Sequence, residues 1–449
     1  MSAIPAKQKG LLLVLSGGIE AVRGLRKLRE SGWRLAVLDG DPTAPGFEYA
    51  EERLVVSTYE LGPAARAAIE LHNRRPIVGV MSIAADVPHT VSHIARTLGL
   101  PGLEPGTAKL AMDKLAMKQR FRNQGVPIPW FSEVRSAEEL TDLQARMGQA
   151  IVLKPVDSRG ARGVLLLTPE SDLFWAFQHS KACSPTGRVM VEAYVPGPQI
   201  SSESMIVDGK AYTAGLSDRN YEMLEHTAPY MIENGGDQPS SRRGSIIHRV
   251  DSVIEAAAAA IGLRDGVLKG DLVLDEGRRV VVIEVAPRLS GGYFCTDQIP
   301  LSTGVDLVEL QARVAIGEKP LFKELTAKSW SPTCIRYFFP PQGRLVSIEG
   351  FAEMQSQPWV EHAGIFVTEG EVIAPLTDHT RRAGFVLVTG STRAEAKSRA
   401  DAAIAAVRFE VETNVGNSFP ETGPDAGNTS LTGSKHTSNT SAQSNSALR

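Results

Sequence analysis

The sequence predicts a mixed α/β and α+β protein: an N-terminal parallel βαβ domain, a larger central unit, a small C-terminal α+β unit and a disordered tail. Three observations carry this. The chain has 449 residues, more than one ordinary core organises, so two or three domains are expected. Strand-like and helix-like apolar runs alternate from residue 11 onward, which is the pattern of a parallel sheet with crossover helices. From about Glu412 the chain turns to Ser, Thr, Asn and Gly with almost nothing apolar, too little to offset the entropy of ordering. The expected boundaries are 1–106, 107–328, 329–411 and 412–449.

The totals narrow the function. A net charge of −3 gives no sign of a nucleic-acid or membrane partner. No apolar run approaches the ~20 residues of a membrane span. Cys183, Cys295 and Cys334 are odd in number and fit no zinc spacing, which suggests a reducing, cytoplasmic compartment. The short apolar run near the start leads into Ser16-Gly17-Gly18 and a helical pattern, so it reads as a buried strand and not a signal peptide.

Taken in order, residues 11–15 form the first strand, 19–30 a helix with Val22, Leu25 and Leu28 on one face, and 35–39 the second strand. Ser16-Gly17-Gly18 stands where a nucleotide fold cradles phosphate, yet the full G-x-G-x-x-G spacing is missing. A tight turn that packs helix on sheet accounts for it better, and the same holds for Asp39 at the second strand's end. Strands at 54–56 and 77–81 and helices at 63–73 and 87–98 complete the first domain. A long helix is expected over 107–124, ended by Val126-Pro127-Ile128-Pro129. Strands at 151–154 and 164–167 flank a glycine loop, and strands follow at 188–195 and 201–207. Residues 217–244 read as a long polar loop, and loops of that length are usually functional. A helix is expected over 246–261 and another over 304–315. Short strands at 334–339, 343–348, 364–367 and 384–389 and a helix over 392–407 make the C-terminal unit.

The central feature is the hairpin in Lys269 to Gly292, KGDLVLDEGRRVVVIEVAPRLSGG. With a four-residue loop from Glu276 to Arg279, Asp271 lies opposite Glu284. Opposed residues of an antiparallel pair share a face with Cβ atoms about 5 Å apart. The second strand is otherwise apolar, and unpaired buried carboxylates are costly. A cation between them is therefore expected, and Mg²⁺ suits one or two carboxylates plus phosphate oxygens. Arg288 follows within a turn and is placed to hold a phosphoryl oxygen.

Four pieces now stand in one order: DKLAMKQRFRNQGVPIP, IVLKPVDSRGARGV, VMVEAYVPGPQISSE and the hairpin itself. Together they resemble the ATP-grasp superfamily, over roughly residues 10 to 410, and most of all its carboxylate–amine (L-amino-acid) ligases. The resemblance implies a pre-ATP-grasp domain, an ATP-grasp fold and ATP with Mg²⁺, or Mn²⁺, as cofactors. It implies that Lys114 and Lys154 contact ATP. The loop from Asp157 through Gly160 to Gly163 would close over the phosphates. Glu192, Tyr194 and Val195 would line the adenine, and Gln199 would stand at the ribose where the family often has Glu. Asp271 and Glu284 would hold the metal, with Arg288 and Lys154 at the reacting phosphoryl group. Ala286 replaces the family's Asn, which removes one ligand of a second metal.

The activity so implied is ATP-dependent carbon–nitrogen ligation through an acyl phosphate, with ADP and phosphate released. The partners are small-molecule carboxylate and amine substrates, with a homodimer as an allowed assembly. Two alternatives are a bicarbonate-phosphorylating enzyme and an ATP-binding module without chemistry. Arg288-Leu289-Ser290-Gly291-Gly292-Tyr293 lacks the Glu that follows the metal motif in biotin carboxylases, and retention of both acids and Arg288 opposes a silent module. For substrate, Ser290, Gly291 and Gly292 lie just past Arg288, and Arg219, Arg242 and Arg243 are carboxylate-clamp candidates in the long segment. His226 is a candidate general base there. The run Arg381-Arg382-Ala383-Gly384 before the last strand favours the ligase reading.

Overall fold

The computed structural model describes residues 9–276 and 279–413. The predicted tail from 414 and the tip of the hairpin lie outside the described residues.

The N-terminal sheet is parallel, ordered Glu52–Val55, Arg34–Asp39, Leu11–Leu15 and Ile77–Ser82. Leu11–Leu15 is buried throughout because both sheet faces are covered. Leu11, Leu13 and Leu15 meet Ala64, Ala68, Leu71 and Ile94 on one face. Leu12 and Val14 join Leu25 and Leu28 on the other, and this core continues into Leu289, Phe294, Ile299 and Leu307. The first domain is thus fused to the chain that follows the central hairpin, and Ile83 bridges Leu289 in parallel. At the first turn, Gly17 N donates to Asp39 Oδ2 at 2.7 Å and Asp41 N to Asp39 Oδ1 at 2.9 Å. Asp39 is therefore engaged in shaping the turn.

The next layer is an antiparallel sheet ordered Phe131–Val134, Val189–Ala193, Ile151–Pro155 and Leu165–Leu167. The helix expected over 107–124 is two helices, Pro105–Leu110 and Lys114–Asn123. Asp113 breaks it by capping the second, accepting from Ala116 N at 2.9 Å. This cap places Lys114 at the first turn, facing the cavity.

An eight-stranded antiparallel sheet spans the rest of the core, ordered Arg279–Ala286, Gly266–Asp275, Gln199–Val207, Lys210–Arg219, Gly236–Gln238, Thr333–Phe338, Gly384–Thr389 and Val360–Ile365. Helix Arg243–Ile261 packs on it through Ile246, Val250, Ile254 and Ala257. The segment expected to be irregular over 217–244 is partly ordered: one strand runs on to Arg219, and Gly236–Gln238 pairs with Thr333–Phe338. Three of the four strands expected in the C-terminal unit, those near 334–339, 364–367 and 384–389, extend the same sheet. A separate three-stranded sheet of Val372–Ile373, Gly343–Glu349 and Arg408–Glu412 includes a final strand that was not expected and that ends at the first residue of the expected tail. Helix Arg393–Ala406 starts where expected, with Thr392 capping Glu395 N.

Candidate functional site

The hairpin pairs Asp271 with Glu284, as expected, but by a different route. Asp275 faces Arg279 and Leu272 faces Val282, so the loop is shorter than four residues. A bulge between Asp271 and Leu272 adds back the one residue, and a bulge is a common way to re-aim side chains beside a site. Both carboxylates line one cavity of about 600 Å³, together with Lys114, Lys154 and Arg288.

Three sets of side chains meet there. Arg219 Nη1 lies 2.9 Å from Asp271, and Lys269 Nζ lies 2.6 Å from it. Burial alone would raise the Asp271 carboxyl, but Arg219 and Lys269 hold it well below the usual carboxylate range. Asp271 Oδ1 is buried and accepts no well-aligned hydrogen bond. Lys114 Nζ lies 3.2 Å from Glu284 and donates to Ser158 O at 2.7 Å. Two fixed carboxylates, one with a poorly satisfied oxygen, fit a hard divalent cation that also takes phosphate oxygens. Among the described residues no group of three or more His, Cys, Asp and Glu could hold a metal.

The second set is buried. Glu192 is turned inward between Lys154 (2.6 Å) and Lys118 (2.9 Å). Lys118 also donates to Val282 O at 3.1 Å, on the strand that carries Glu284. Burial, opposed by Glu192, brings Lys118 down to about 8. Lys118 escaped the sequence reading. Its signal was available: it follows Lys114 by four residues, on the same helix face.

The third set joins domains. Asp86, just past the Ile77–Ser82 strand, holds Arg288 through two oxygens at 2.6 and 3.0 Å. Burial would raise Asp86, but Arg288 keeps it well below the carboxylate range. Glu203, fully buried, accepts from Ser290 N at 2.9 Å and from Ser290 Oγ. Burial pushes Glu203 up to about 7. No sequence signal pointed to Asp86 or Glu203, since each acts across a distance of at least 87 residues.

Of the other expected residues, Gly160, Glu192, Tyr194, Val195, Gln199, Arg219, Ser290, Gly291 and Gly292 line the cavity. Asp157 does not. It anchors the glycine loop by accepting from Ser184 Oγ and Thr186 Oγ1, both at 2.6 Å. Gly163 does not either: a Cβ there would lie 2.7 Å from Cys183 Cβ, so this glycine serves close packing. Arg242 and Arg243 stand outside, where Arg243 stacks 3.5 Å over Trp330. His226 is exposed and outside, on the short helix Leu224–Thr227. The histidine at the cavity is His379, which burial, aided by Arg382 and Arg219, keeps well below its usual value. Its backbone N–H donates to Gly160 O at 3.0 Å, and Arg159 lies 4.4 Å over Tyr59. The glycine loop is thereby held from both flanking units.

Residues 111–292 match the ATP-grasp domain family. This stretch is an ATP-grasp domain. Residues 336–412 match the family described as L-amino acid ligase C-terminal domain 2. Among curated relatives is the uncharacterized protein y4rH of Sinorhizobium fredii (strain NBRC 101917 / NGR234), 26% identical over 415 residues, covering 90% of this chain and 83% of that one. A D-alanine–D-alanine ligase of Synechococcus sp. (strain JA-2-3B'a(2-13)) is 26% identical over 343 residues, covering 72% of this chain and 98% of the ligase. In fold, the chain is similar to the L-amino acid ligase from Bacillus licheniformis, with a TM-score of 0.75 at 18% identity, covering 90% of this chain and all of that one. Among the described residues no helix is long and apolar enough to cross a membrane.

Proposed function

We propose that this ATP-grasp protein is an ATP-dependent carboxylate–amine ligase that forms an amide or peptide bond through an acyl phosphate. The observation that carries the reading is the pairing of Asp271 with Glu284 on one cavity wall, facing Lys114, Lys154 and Arg288. The matched ligase C-terminal domain and the D-alanine–D-alanine ligase relative support it.

A carboxylate is a poor electrophile, so the γ-phosphoryl group of ATP is transferred to it first and ADP leaves. A neutral amine then attacks the acyl carbon. The C–N bond forms, the C–O bond to phosphate breaks, and a proton is released with inorganic phosphate. A Mg²⁺ held by Asp271 and Glu284 would neutralise charge on the phosphates. Arg288, fixed by Asp86, is a preorganised donor toward the transferred group, which is where fixed charge lowers a barrier most. Lys154 and Lys114 hold the inner phosphates. The loop from Ser158 to Arg162 covers them and keeps water from the intermediate. Gln199 bonds a ribose hydroxyl in place of Glu, and Ala286 leaves any second metal to water.

The test is product analysis with ATP, Mg²⁺ and each of the twenty L-amino acids, singly and in pairs. ADP and phosphate are expected, with a hydroxamate formed when hydroxylamine is added to one carboxylate substrate. AMP formation, or stimulation by bicarbonate and biotin but by no amine, refutes the reading.

A further inference from the structure

The cavity's cations differ in what already neutralises them. Lys114 faces Glu284, Lys154 faces Glu192, Arg219 and Lys269 face Asp271, and Arg288 faces Asp86. Of the cavity's remaining arginines, Arg159, Arg162 and Arg382 have no carboxylate within ion-pair distance among the described residues. Arg159 and Arg162 belong to the glycine loop, whereas Arg382 lies outside it. Its Nη2 donates to the backbone oxygen of Glu233 at 2.6 Å, and its guanidinium lies 3.7 Å over the Tyr337 ring. Its Nε is buried and donates to nothing. A buried donor without a partner costs about 1–3 kcal/mol, so an unfilled guanidinium edge at a cavity marks a place for an acceptor.

The geometry of that edge is selective. Guanidinium is a planar fork that matches a carboxylate through two parallel bonds. Stacking on Tyr337 and the bond to Glu233 fix its plane before any ligand arrives. Tyr337 also links this edge to the reacting end. A Cβ on Gly292 would lie 2.8 Å from the Tyr337 hydroxyl, so the ring spans from Arg382 to the double glycine beyond Arg288. Arg382 comes from the C-terminal unit, between the turn at His379–Arg381 and strand Gly384–Thr389, and not from the strands that carry Asp271 and Glu284.

We infer that Arg382 clamps the carboxylate of the amine-bearing substrate, so that the acceptor is an amino acid and not ammonia or a simple amine. The inference rests on the ligase reading above. The donor's carboxylate must reach the phosphoryl group between Arg288 and the acid pair. The acceptor's carboxylate does not react and must be kept from that centre. A cation without a carboxylate, on a separate unit one tyrosine ring away, does both: it binds the acceptor and points its amine at the acyl carbon.

The experiment compares wild type, Arg382→Met and Arg382→Lys at saturating ATP and donor, the donor being the L-amino acid that gives most phosphate release with hydroxylamine. Acceptors are the twenty L-amino acids, the amide of each, and hydroxylamine. Arg382→Met is expected to raise the acceptor KM for the best L-amino acid at least about 30-fold, the range for truncating one side of a buried charge pair. Hydroxylamine-supported release and the KM for ATP should stay within about twofold, and Arg382→Lys should recover part of the loss. In wild type the amides should be as poor as the acids are in Arg382→Met. An unchanged preference for acid over amide in Arg382→Met overturns the inference, and so does an equal loss with hydroxylamine. Calorimetric titration of the MgADP-loaded protein with the same acids and amides reads the clamp without turnover: binding that needs the carboxylate in wild type and not in Arg382→Met is expected, and its absence overturns the clamp. If wild type releases no phosphate with any carboxylate plus hydroxylamine, the ligase reading itself has failed, whatever the titration shows.

Discussion

Lys118→Met removes one charge from the buried Lys118–Glu192–Lys154 cluster and keeps the side chain's length. Its Nζ lies 2.9 Å from Glu192 and its exposure is 1%. Breaking a buried pair by deleting one partner costs about 3–5 kcal/mol. Glu192 retains Lys154 at 2.6 Å, so the lower end, about 3 kcal/mol, is expected. The effect on nucleotide is separate. With Lys118 present the cluster carries a net positive charge, two cations around one anion. Without it, Glu192 cancels Lys154, and the phosphates lose one unit of positive field. At roughly 8 Å and an effective dielectric near 20, one unit charge is worth on the order of 2 kcal/mol. That converts to about a 30-fold weaker Kd for ATP. Urea unfolding measures the first effect, and displacement of a fluorescent ATP analogue measures the second. Lys118→Arg should retain most of the affinity. A methionine variant with wild-type midpoint and wild-type ATP affinity would refute the charge-balance argument. One with weakened stability alone would show that Lys118 only ties helix Lys114–Asn123 to the strands.

Other outcomes follow from the same geometry. Glu284→Gln should cut turnover by at least about 100-fold while the melting temperature stays near wild type, since Glu284 faces the cavity; near-normal turnover would sink the metal assignment. Gly291→Ala puts a Cβ 2.2 Å from Glu20 Oε2, the movable end of that side chain, so Glu20 should swing aside and the melting temperature should stay near wild type; a large drop would show that Glu20 is pinned there. For Glu203, burial raises the folded-state value from 4.5 to about 7. Its contribution to stability is full below about 4.5 and is lost as pH rises through about 7, a change of about 3 kcal/mol. Denaturant midpoints of wild type minus Glu203→Gln, taken between pH 4 and 8, should trace that decline; a flat difference would contradict it.

Local pattern made the elements legible. The all-apolar run Leu11–Leu15, the helix after Thr392 and the opposed acids of the hairpin each follow from neighbours within a few residues, where periodicity and turn chemistry act. Even there, the pairing of Asp271 with Glu284 came out right while its register did not. A bulge and a longer loop give the same pair, and one extra residue on a strand leaves little mark on a pattern of alternating apolar residues. The break at Asp113 was hidden because the flanking segments are both good helix formers, and only the cap and the Arg188 contact at 2.8 Å decide it.

The sequence by itself determined the order of the chemical groups: the lysines, the glycine loop, the acid pair and Arg288, in spacing that recurs in the ATP-grasp superfamily. Tertiary structure alone decided which charges are neutralised and which stay free. Asp86 reaches Arg288 across 202 positions, and Glu203 reaches Ser290 across 87. It also placed Arg242, Arg243 and His226 outside the cavity and brought Arg382 and His379 in. The physical reason is that electrostatic pairing depends on distance and burial in space. Sequence separation constrains neither once a chain folds back through an eight-stranded sheet.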